Sequence, residues 1–381
     1  MAPLAAAETA EVRTGKYKDR HARMTVATPP LLAFHVDLLQ DVGVLRPLVR
    51  LAAEALPRRD RLLLVSSHFA GRDKDGTWAG ELATLSAETG TPIATYGSEL
   101  EACRLLAGRH GMVIAGSESS LPNHAVTHAL FRALPPEFRT VALQHGFECI
   151  GFMHNSAHEA VAGSGVRFAA DVIAGWFNPA RLTDIPPADR GKLIVTGPPM
   201  LIEHRPAEAN REAAAERVGI ICENLHSVRF DANSRESFSE VLEQFAQRAR
   251  QVNERFHLRP HPAGRFTTKS KASSPGDHVL ATQPLHRSEI HRAAYGISGP
   301  STVLFDFVLA DVPVGLWADA GVDSRNFKGL NELRTADDWW RFAQRSRLDR
   351  EALLMPQRRF VERLDMPGDV AARYCRLMAS I

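Results

Sequence analysis

The chain has 381 residues and a formal net charge of +2, from 46 basic and 44 acidic side chains. This length favours two domains over a single core. The near balance of charge argues against a dedicated nucleic-acid binder, which would carry a strong basic excess. No apolar run of about 18 residues occurs, so we expect no membrane span. The four cysteines are scattered without a C-x-x-C spacing, which indicates reduced cytosolic thiols and neither a zinc site nor a disulfide framework.

Residues 1–28 are rich in Lys and Arg and lack apolar periodicity, so we expect a flexible N-terminal arm. The start of the chain lacks a cationic segment followed by an apolar core, so we expect no secretory signal. The basic arm could touch anionic lipid, but a disordered tail explains the same composition equally well. We therefore expect a cytoplasmic protein, and peripheral association with the inner membrane stays open.

Strand-like and helix-like segments alternate along most of the chain. In the first half we predict a helix at 45–56 and strands at 31–36, 61–66, 92–95, 111–115, 140–144 and 190–199. In the second half we predict strands at 218–222, 255–258, 278–280, 296–298 and 312–317. The helices predicted between these are 206–217, 237–252, 285–294 and 302–310. Alternation of this kind indicates parallel sheets covered by helices on both faces.

We therefore predict an α/β fold with two Rossmann-like lobes that face a cleft, followed by C-terminal helices. The expected boundaries are 29–200 for the first lobe, 201–335 for the second and 336–381 for the helical segment. Trp339, Trp340 and Phe342 should pack together in that segment. Ligands of such sheets bind beyond the carboxyl ends of the strands.

The segment Phe256-His-Leu-Arg-Pro-His-Pro262 is a short strand that ends in a proline-bracketed turn. Arg259 and His261 project where the strand ends, and their side chains offer hydrogen-bond donors to an anion. A solvent-facing loop is the structural alternative. We favour anion binding, because position and side-chain chemistry agree.

A second turn of small residues, Ser298-Gly299-Pro300-Ser301-Thr302, follows the strand at 296–298 and opens a helix. The first N–H groups of a helix have no partner within the helix and bind phosphate readily. Ser and Thr are also common helix caps. The two roles are compatible, since a capping turn can also hold a phosphate.

In the first half, the strand at 140–144 delivers His145 at its carboxyl end, and Gly146 permits a sharp turn there. His145 could act as a general base or could hold a developing phosphate charge, and Glu148 is a second candidate base in the same turn. The alternative for His145 is a structural histidine held by hydrogen bonds. Glu223 and Asn224 follow the first strand of the second lobe, where a ligand-contacting loop and a plain connecting loop are equally good interpretations.

Two further patterns favour structural roles, and we predict no metal site. Asp73-Lys-Asp75 has the spacing of a metal-binding D-x-D, but the glycines beside it indicate an exposed turn. His124 and His128 have helical spacing without a third ligand in sight, so a helix face explains them better. The chain contains neither a G-x-G-x-x-G dinucleotide fingerprint nor a P-loop, which weighs against dehydrogenases and P-loop ATPases.

Taken together, Gln144-His145-Gly146, Arg259-Pro-His261-Pro and Ser298-Gly-Pro-Ser-Thr302 resemble motifs of bacterial surface-polysaccharide transferases. The similar families are the capsule-linked Kdo transferases, the CDP-glycerol glycerophosphotransferases of teichoic acid synthesis, and the sialyl- and polysialyltransferases. The resemblance implies the GT-B fold, with an acceptor domain at 29–200 and a nucleotide-donor domain at 201–335. It covers about residues 110 to 317, in patches.

The resemblance also implies roles for individual residues. Arg259 and His261 would hold the phosphate of a CMP- or CDP-linked donor, with Ser298, Ser301 and Thr302 beside it, and His145 would serve the acceptor hydroxyl. The expected partners are a nucleotide-sugar and a glycan or lipid-linked acceptor, with no further cofactor and no metal. Two alternatives stay open: a GT-B nucleotide-sugar epimerase and a non-catalytic nucleotide-sugar-binding protein.

Overall fold

The computed structural model describes residues 28–163, 165–203, 218–261, 266, 279–281, 284–285, 290–319 and 321–381. The predicted helix at 206–217 lies outside the described residues, and so does the predicted arm except for its last residue. Among the described helices, none is long and apolar enough to cross a membrane.

The first lobe is built on a seven-stranded parallel sheet in the order β3-β2-β1-β4-β5-β6-β7. Its strands are β1 Leu31–Val36, β2 Asp60–Ser66, β3 Ile93–Tyr96, β4 Gly111–Ala115, β5 Phe138–Leu143, β6 Val172–Gly175 and β7 Leu193–Val195. Strands β1 and β4 are buried along their whole length. Helices cover both faces of the sheet, so these central strands are apolar throughout except for the buried His35.

The helices of this lobe are α1 Leu39–Ala55, α2 Ser67–Arg72, α3 Thr77–Thr89, α4 Glu99–Leu106, α5 Ala125–Ala133 and α6 Ser156–Ala162. Short 3-10 helices occur at Pro122–His124, Arg190–Lys192 and Pro199–Ile202. Helix α1 begins at Leu39, earlier than predicted, because the Asp41 carboxylate accepts hydrogen bonds from the backbone N–H groups of Asp37 and Leu38, at 3.0 and 2.8 Å.

The second lobe is built on a six-stranded parallel sheet in the order β10-β9-β8-β11-β12-β13. Its strands are β8 Val218–Cys222, β9 Phe256–Arg259, β10 Val279–Leu280, β11 Ala293–Ser298, β12 Val314–Trp317 and β13 Asn331–Leu333. Its described helices include α7 Ala232–Gln251, α8 Thr302–Leu309 and a 3-10 turn at Arg325–Phe327.

The prediction of a helix at 285–294 is wrong for its last two residues. Ala293 and Ala294 belong to β11, which pairs with β8 from Ala293 onwards. Alanine favours helices in isolation, but burial in the middle of a sheet overrides that weak preference. Residues 286–289 of the predicted helix lie outside the described residues.

The C-terminal helices are divided between the two lobes. They are α9 Ala336–Leu348, α10 Arg350–Glu362 and α11 Val370–Ala379. Helix α9 covers the second lobe, where the ring of Trp339 lies 5.5 Å from that of Phe238. Trp339, Trp340 and Phe342 are all buried, so their predicted packing is confirmed.

Helix α11 returns to the first lobe and completes its core. The Tyr374 hydroxyl lies 3.0 Å from the Thr196 Oγ1 atom and donates to the Gly197 carbonyl at 3.1 Å. Val370 and Met378 are buried in the same cluster as α1 and the central strands. Helix α11, which follows the second lobe in the sequence, therefore completes the hydrophobic core of the first lobe.

An aromatic cluster joins the two lobes. Its central ring, Phe147, stacks on Phe305 of the second lobe with centroids 5.3 Å apart and an interplanar angle of 17°. We call this set the interlobe aromatic cluster: Phe147, Trp176, Phe177, Phe305, Phe327 and Phe360. Each such ring pair contributes about 0.5–1.5 kcal/mol beyond its buried area. The segments that follow the carboxyl ends of both sheets meet at this cluster.

Candidate active site between the lobes

Three neighbouring strands of the second lobe end at the same level. Cys222 of β8 is in register with Arg259 of β9 on one side and with Ser298 of β11 on the other. Adjacent strands lie about 4.8 Å apart, so the segments that follow them share one short edge of the sheet. All the residues predicted to hold the donor lie at or just beyond these three strand ends: Glu223, Asn224, Arg259, His261, Ser298, Gly299, Ser301 and Thr302.

The turn after β11 contains a buried hydroxyl group that has no hydrogen-bond partner in the described part of the chain. Ser298 is fully buried, and its Oγ atom makes no hydrogen bond within the described residues. A buried hydroxyl usually has a partner, and one without a partner is costly. The Ser298 hydroxyl therefore has unused hydrogen-bonding capacity beside a helix-opening turn, among the described residues.

The remaining residues of the turn fix its shape. Gly299 lies so close to Phe230 that an added Cβ atom would sit 2.7 Å from the ring. The Asn224 amide donates to the Pro300 carbonyl at 2.6 Å and ties the β8 loop to the turn. The Ser301 Oγ atom accepts from the Val303 N–H at 3.4 Å and caps α8. Helix α8 therefore begins with its N–H groups at the edge shared by the three strands.

His261 stacks on a second histidine that sequence reasoning does not single out. The rings of His226 and His261 have centroids 3.5 Å apart and an interplanar angle of 22°. Burial, with a contribution from His226, lowers the pKa of His261 to about 3. Burial, with a contribution from Arg235, lowers the pKa of His226 to about 4. Both imidazoles are therefore neutral at pH 7, and His261 can act as a neutral hydrogen-bond donor.

The carboxylate of Glu223 has a hydrogen-bond partner in its own lobe. Its Oε1 atom accepts a hydrogen bond from the Phe266 N–H at 2.9 Å. Arg259 acts electrostatically on the Cys222 thiol, whose pKa burial raises to about 12. The register and this interaction place Arg259 beside the end of β8.

In the first lobe, Gln144 holds the turn that carries His145. The Gln144 side-chain amide donates to the carbonyls of Gly146 and Phe147 at 3.0 and 3.2 Å, and its oxygen accepts from the Trp176 N–H at 2.8 Å. Because Gln144 is fully buried, these bonds fix the turn strongly.

His145 itself is partly buried beside the end of β4. Burial lowers its pKa to about 4, and a hydrogen bond to the Gly116 backbone opposes that shift. Its ring lies edge-on to the ring of His124, with centroids 5.5 Å apart. Above about pH 5 the imidazole is neutral, which is the form that can accept a proton.

The side chain of Glu148, the other predicted base, binds residues of the second lobe and so links the two lobes. Its side chain is 2% exposed and forms an ion pair with Arg229 of the second lobe, which is 4% exposed. Its Oε1 atom also accepts from the Asn326 amide at 2.6 Å. A carboxylate that neutralises a buried guanidinium is poorly placed to accept a proton from a substrate. The arrangement assigns Glu148 to the contact between the lobes.

The two predicted halves of the site meet across the lobes. The Thr302 hydroxyl, at the start of α8, accepts a hydrogen bond from the Phe147 backbone N–H at 3.0 Å. Gly146 lies against the same hydroxyl, and an added Cβ atom would sit 2.7 Å from it. His145 immediately precedes this glycine. The structure therefore brings the His145 turn to the helix start that follows Ser298.

The two patterns assigned to structural roles have their own partners. Asp73 accepts hydrogen bonds from the backbone N–H groups of Trp78 and Ala79, at 3.2 and 2.7 Å, and so orders the turn before α3. His124 pairs with Ser119 and His128 with Glu118, at 2.7 and 2.6 Å. Within the described part of the chain, no group of three or more acidic, His or Cys side chains could hold a metal ion.

No family model and no curated protein matches the sequence. Several solved structures are similar to the chain. A putative UDP-N-acetylglucosamine 2-epimerase from Listeria monocytogenes shares 12% identity, with a TM-score of 0.57 over 92% of this chain and 95% of that one. The wall teichoic acid polymerase TagF shares 9% identity, with a TM-score of 0.58 over 92% of this chain and 88% of that one.

The fold is GT-B. A UDP-GlcNAc 2-epimerase from Methanocaldococcus jannaschii agrees with this assignment, at 12% identity and a TM-score of 0.53 over 88% of this chain and 99% of that one. The predicted α/β fold of two facing GT-B lobes with C-terminal helices is confirmed. At these identities the likeness establishes the fold, and GT-B structures of both transferases and epimerases are similar to this chain.

Proposed function

We propose that the protein is a metal-independent glycosyltransferase of bacterial surface polysaccharide synthesis. It would transfer a sugar, or a unit resembling glycerol phosphate, from a CMP- or CDP-linked donor to a glycan or lipid-linked acceptor. It would act in the cytoplasm, at or near the inner membrane. The observation that carries this proposal is the contact between the His145 turn and the start of α8, next to the Ser298 hydroxyl, which has no hydrogen-bond partner among the described residues.

The donor would occupy the edge shared by β8, β9 and β11. The N–H groups at the start of α8, the Ser298 hydroxyl and neutral His261 would donate hydrogen bonds to the donor phosphate. Arg259 would add a positive charge beside them. Donors held in place before the reaction stabilise the charge that develops on a leaving phosphate, which is why such a site works without a metal ion.

The acceptor would be activated from the first lobe. With a sugar donor, its hydroxyl oxygen would attack the donor carbon as the bond from that carbon to the phosphate oxygen breaks, and the nucleotide would leave with the bonding electrons. With a donor of a unit resembling glycerol phosphate, the hydroxyl oxygen would attack the phosphorus of that unit, and CMP would leave with the electrons of the broken P–O bond. His145 would take the hydroxyl proton. Its pKa of about 4 makes it a weak base here. A bound donor phosphate would raise that pKa, because a nearby negative charge favours the imidazolium.

The epimerase alternative has support of its own. The two epimerase structures named above match this chain over nearly all of their length, at TM-scores of 0.57 and 0.53. An epimerase would interconvert a nucleotide-sugar without an acceptor. A binding protein without activity would retain the nucleotide-sugar and release no product. The transferase, epimerase and binding-protein interpretations therefore differ in whether the nucleotide is released, kept on a converted sugar or bound unchanged.

The test is incubation with CMP-, CDP-, UDP- and GDP-linked donors, with and without a surface-glycan acceptor. We expect acceptor-dependent release of CMP or CDP. His145→Ala should lower kcat more than it raises KM for the donor, and His261→Ala should mainly weaken donor binding. His110→Ala is the matched control, because His110 is exposed at the opposite edge of the first sheet. Conversion of a nucleotide-sugar without acceptor would establish the epimerase, and unchanged rates in both site variants would refute the assignment.

A further inference from the structure

The first turn of α1 contains a buried carboxylate, Asp41, which is 1% exposed. Its Oδ2 atom accepts the backbone N–H groups of Asp37 and Leu38, at 3.0 and 2.8 Å. Its Oδ1 atom accepts the Ser117 hydroxyl at 2.7 Å. No cationic side chain is among the described groups that act on it. Helix capping explains the two backbone bonds, but capping does not require a charge.

The charge of Asp41 is costly where it lies. Burial raises the pKa of the Asp41 carboxyl to about 6, although hydrogen bonds from Leu38 and Ser117 lower it. At neutral pH the group is therefore a buried anion, which is unfavourable without a counter-charge. An asparagine could accept the same backbone N–H groups without this cost. The presence of a carboxylate points to a role besides capping.

Gly116 connects this carboxylate to the predicted base. It follows β4, which lies between β1 and β5 in the sheet. An added Cβ atom on Gly116 would sit 2.7 Å from the Asp41 Oδ1 atom. The Gly116 backbone also forms a hydrogen bond with the His145 ring, and this bond raises the pKa of His145. A bond that favours the protonated ring has the ring N–H as donor and the Gly116 carbonyl as acceptor.

This bond determines which form of the His145 ring is present. One ring nitrogen carries the hydrogen that is donated to Gly116, so the other nitrogen keeps a free lone pair. That lone pair would take the proton of an acceptor hydroxyl, and the ring would become an imidazolium. Because Gly116 contacts both groups, the Asp41 carboxylate lies within about 10 Å of the ring. At this range a buried charge changes the proton affinity of the ring about tenfold.

The charged neighbours of Asp41 are few in the described part of the chain. Asp37, after β1, raises the pKa of Asp41 by its negative charge. Asp37 is fully buried and pairs with Arg72 of α2 at 3.0 Å, so its own charge is balanced. His145 approaches from the end of β5. A change at His145 near the pKa of Asp41 would therefore report the ionisation of Asp41.

We propose that Asp41 is a positioning residue for His145, which keeps the Gly116 carbonyl against the ring and provides the anion that balances the imidazolium. The inference rests on the proposed role of His145 as the base. The proton stays on His145 and does not pass to Asp41. Capping alone would be served equally well by asparagine, whereas this role requires the charge.

Nitrogen-15 NMR of histidine-labelled protein tests the proposal without an activity assay, and His145→Gln assigns the signals. In the wild type we expect a step in the His145 ring shifts near pH 6, where Asp41 takes up a proton. Asp41→Asn should abolish this step. Ser117→Ala removes a bond that favours the charged carboxylate, so it should move the step to higher pH.

Asp73→Asn is the matched control. Asp73 is also buried and accepts two backbone N–H groups, from Trp78 and Ala79, in the turn before α3. This variant should keep the step of the wild type. Absence of the step in the wild type, or its persistence in Asp41→Asn, would overturn the proposal.

Turnover and stability separate this role from capping. Asp41→Asn should lower kcat about tenfold at neutral pH and leave KM for the donor unchanged. Its melting temperature at neutral pH should equal or exceed that of the wild type, because a carboxyl whose pKa is raised by burial destabilises the fold once it is ionised. A lower melting temperature with unchanged kcat would assign Asp41 to capping and overturn the proposal. A wild type without acceptor-dependent release would refute the transferase, while the NMR step would still decide the role of Asp41.

Discussion

The hydroxyl of Thr302 lies 3.0 Å from the backbone nitrogen of Phe147, and this hydrogen bond joins the first turn of α8 to the His145 turn of the other lobe. Thr302 therefore has two roles at once. It helps to open the helix at the predicted donor site, and it fixes the position of the predicted base relative to that helix.

Removal of this hydroxyl should weaken the contact between the lobes. Thr302→Val keeps the shape of the side chain but leaves the buried Phe147 N–H without an acceptor, which costs about 1–3 kcal/mol. We expect a loss of that size in the free energy of unfolding, measured by urea denaturation, and a fall in turnover. Thr302→Ser retains the hydroxyl and should retain most of both. A Thr302→Val protein with wild-type stability would show that the bond contributes nothing.

Gly146 offers a direct test of how closely the lobes approach. In Gly146→Ala the new Cβ atom would lie 2.7 Å from the Thr302 Oγ1 atom, but 3.9 Å from its Cβ atom. We expect Gly146→Ala to destabilise the wild type clearly and the Thr302→Ala variant much less. Urea denaturation of the two single variants and the double variant measures this coupling. Additive losses would mean that the lobes separate easily at this point.

The ion pair between Glu148 and Arg229 should be important for stability. Glu148→Gln leaves a buried guanidinium unpaired, and breaking a buried pair in this way costs about 3–5 kcal/mol. The exposed pair of Arg248 and Asp337 is the control, where Asp337→Asn should cost less than about 1 kcal/mol. If Glu148→Gln unfolds like the wild type but loses turnover, Glu148 is a catalytic base after all.

Ser298→Ala separates ligand binding from folding. The Ser298 hydroxyl is buried without a partner among the described residues, so its removal breaks no hydrogen bond and should leave the unfolding free energy unchanged or slightly higher. Binding of CDP, measured by calorimetry, should weaken about tenfold with the loss of one hydrogen bond to a charged group. Retained CDP affinity would remove Ser298 from the proposed site.

The buried histidines predict a loss of stability in mild acid. Burial lowers the pKa of His35 to about 4, of His124 to about 3 and of His145 to about 4. As the pH falls through the unfolded-state histidine pKa of about 6.5, these histidines bind protons in the unfolded chain but remain neutral in the folded chain. Their contribution to stability is therefore complete above about pH 6.5 and declines towards about pH 4.

Thermal unfolding between about pH 8 and pH 5 measures this decline. His124→Asn removes one buried imidazole and keeps a polar atom near Ser119, so its melting temperature should change less with pH than that of the wild type. His110→Asn changes an exposed histidine and should follow the wild-type profile. Identical profiles for all three proteins would mean that His124 does not resist protonation in the folded state.

Much of the fold follows from local patterns. Mostly apolar segments such as 31–36 and 111–115 predict buried parallel strands, and both are present at those bounds. Two strands give weaker signals. Strand β6, Val172–Gly175, has four residues, and β13, Asn331–Leu333, lies at the edge of its sheet with polar residues. The return of α11 to the first lobe depends on contacts between distant residues, which periodicity does not encode.

The same limit applies to the site. The ends of predicted strands indicate Arg259, His261, Ser298 and His145, because parallel sheets place their ligand-binding loops there. The ion pair of Glu148 with Arg229 and the stacking of His226 on His261 join separate loops. A sequence pattern carries no signal for such pairs. Their partners decide that Glu148 joins the lobes and that His261 is neutral, so those two conclusions needed the structure.

The return of α11 to the first lobe has a consequence for biosynthesis. Tyr374 and Met378 fill the core around α1, yet a ribosome makes them after the entire second lobe. The second lobe can therefore assemble during translation, while the first lobe keeps an apolar surface exposed until α11 has been synthesised. In a cell, chaperones would need to protect this exposed apolar surface of the first lobe in the nascent protein.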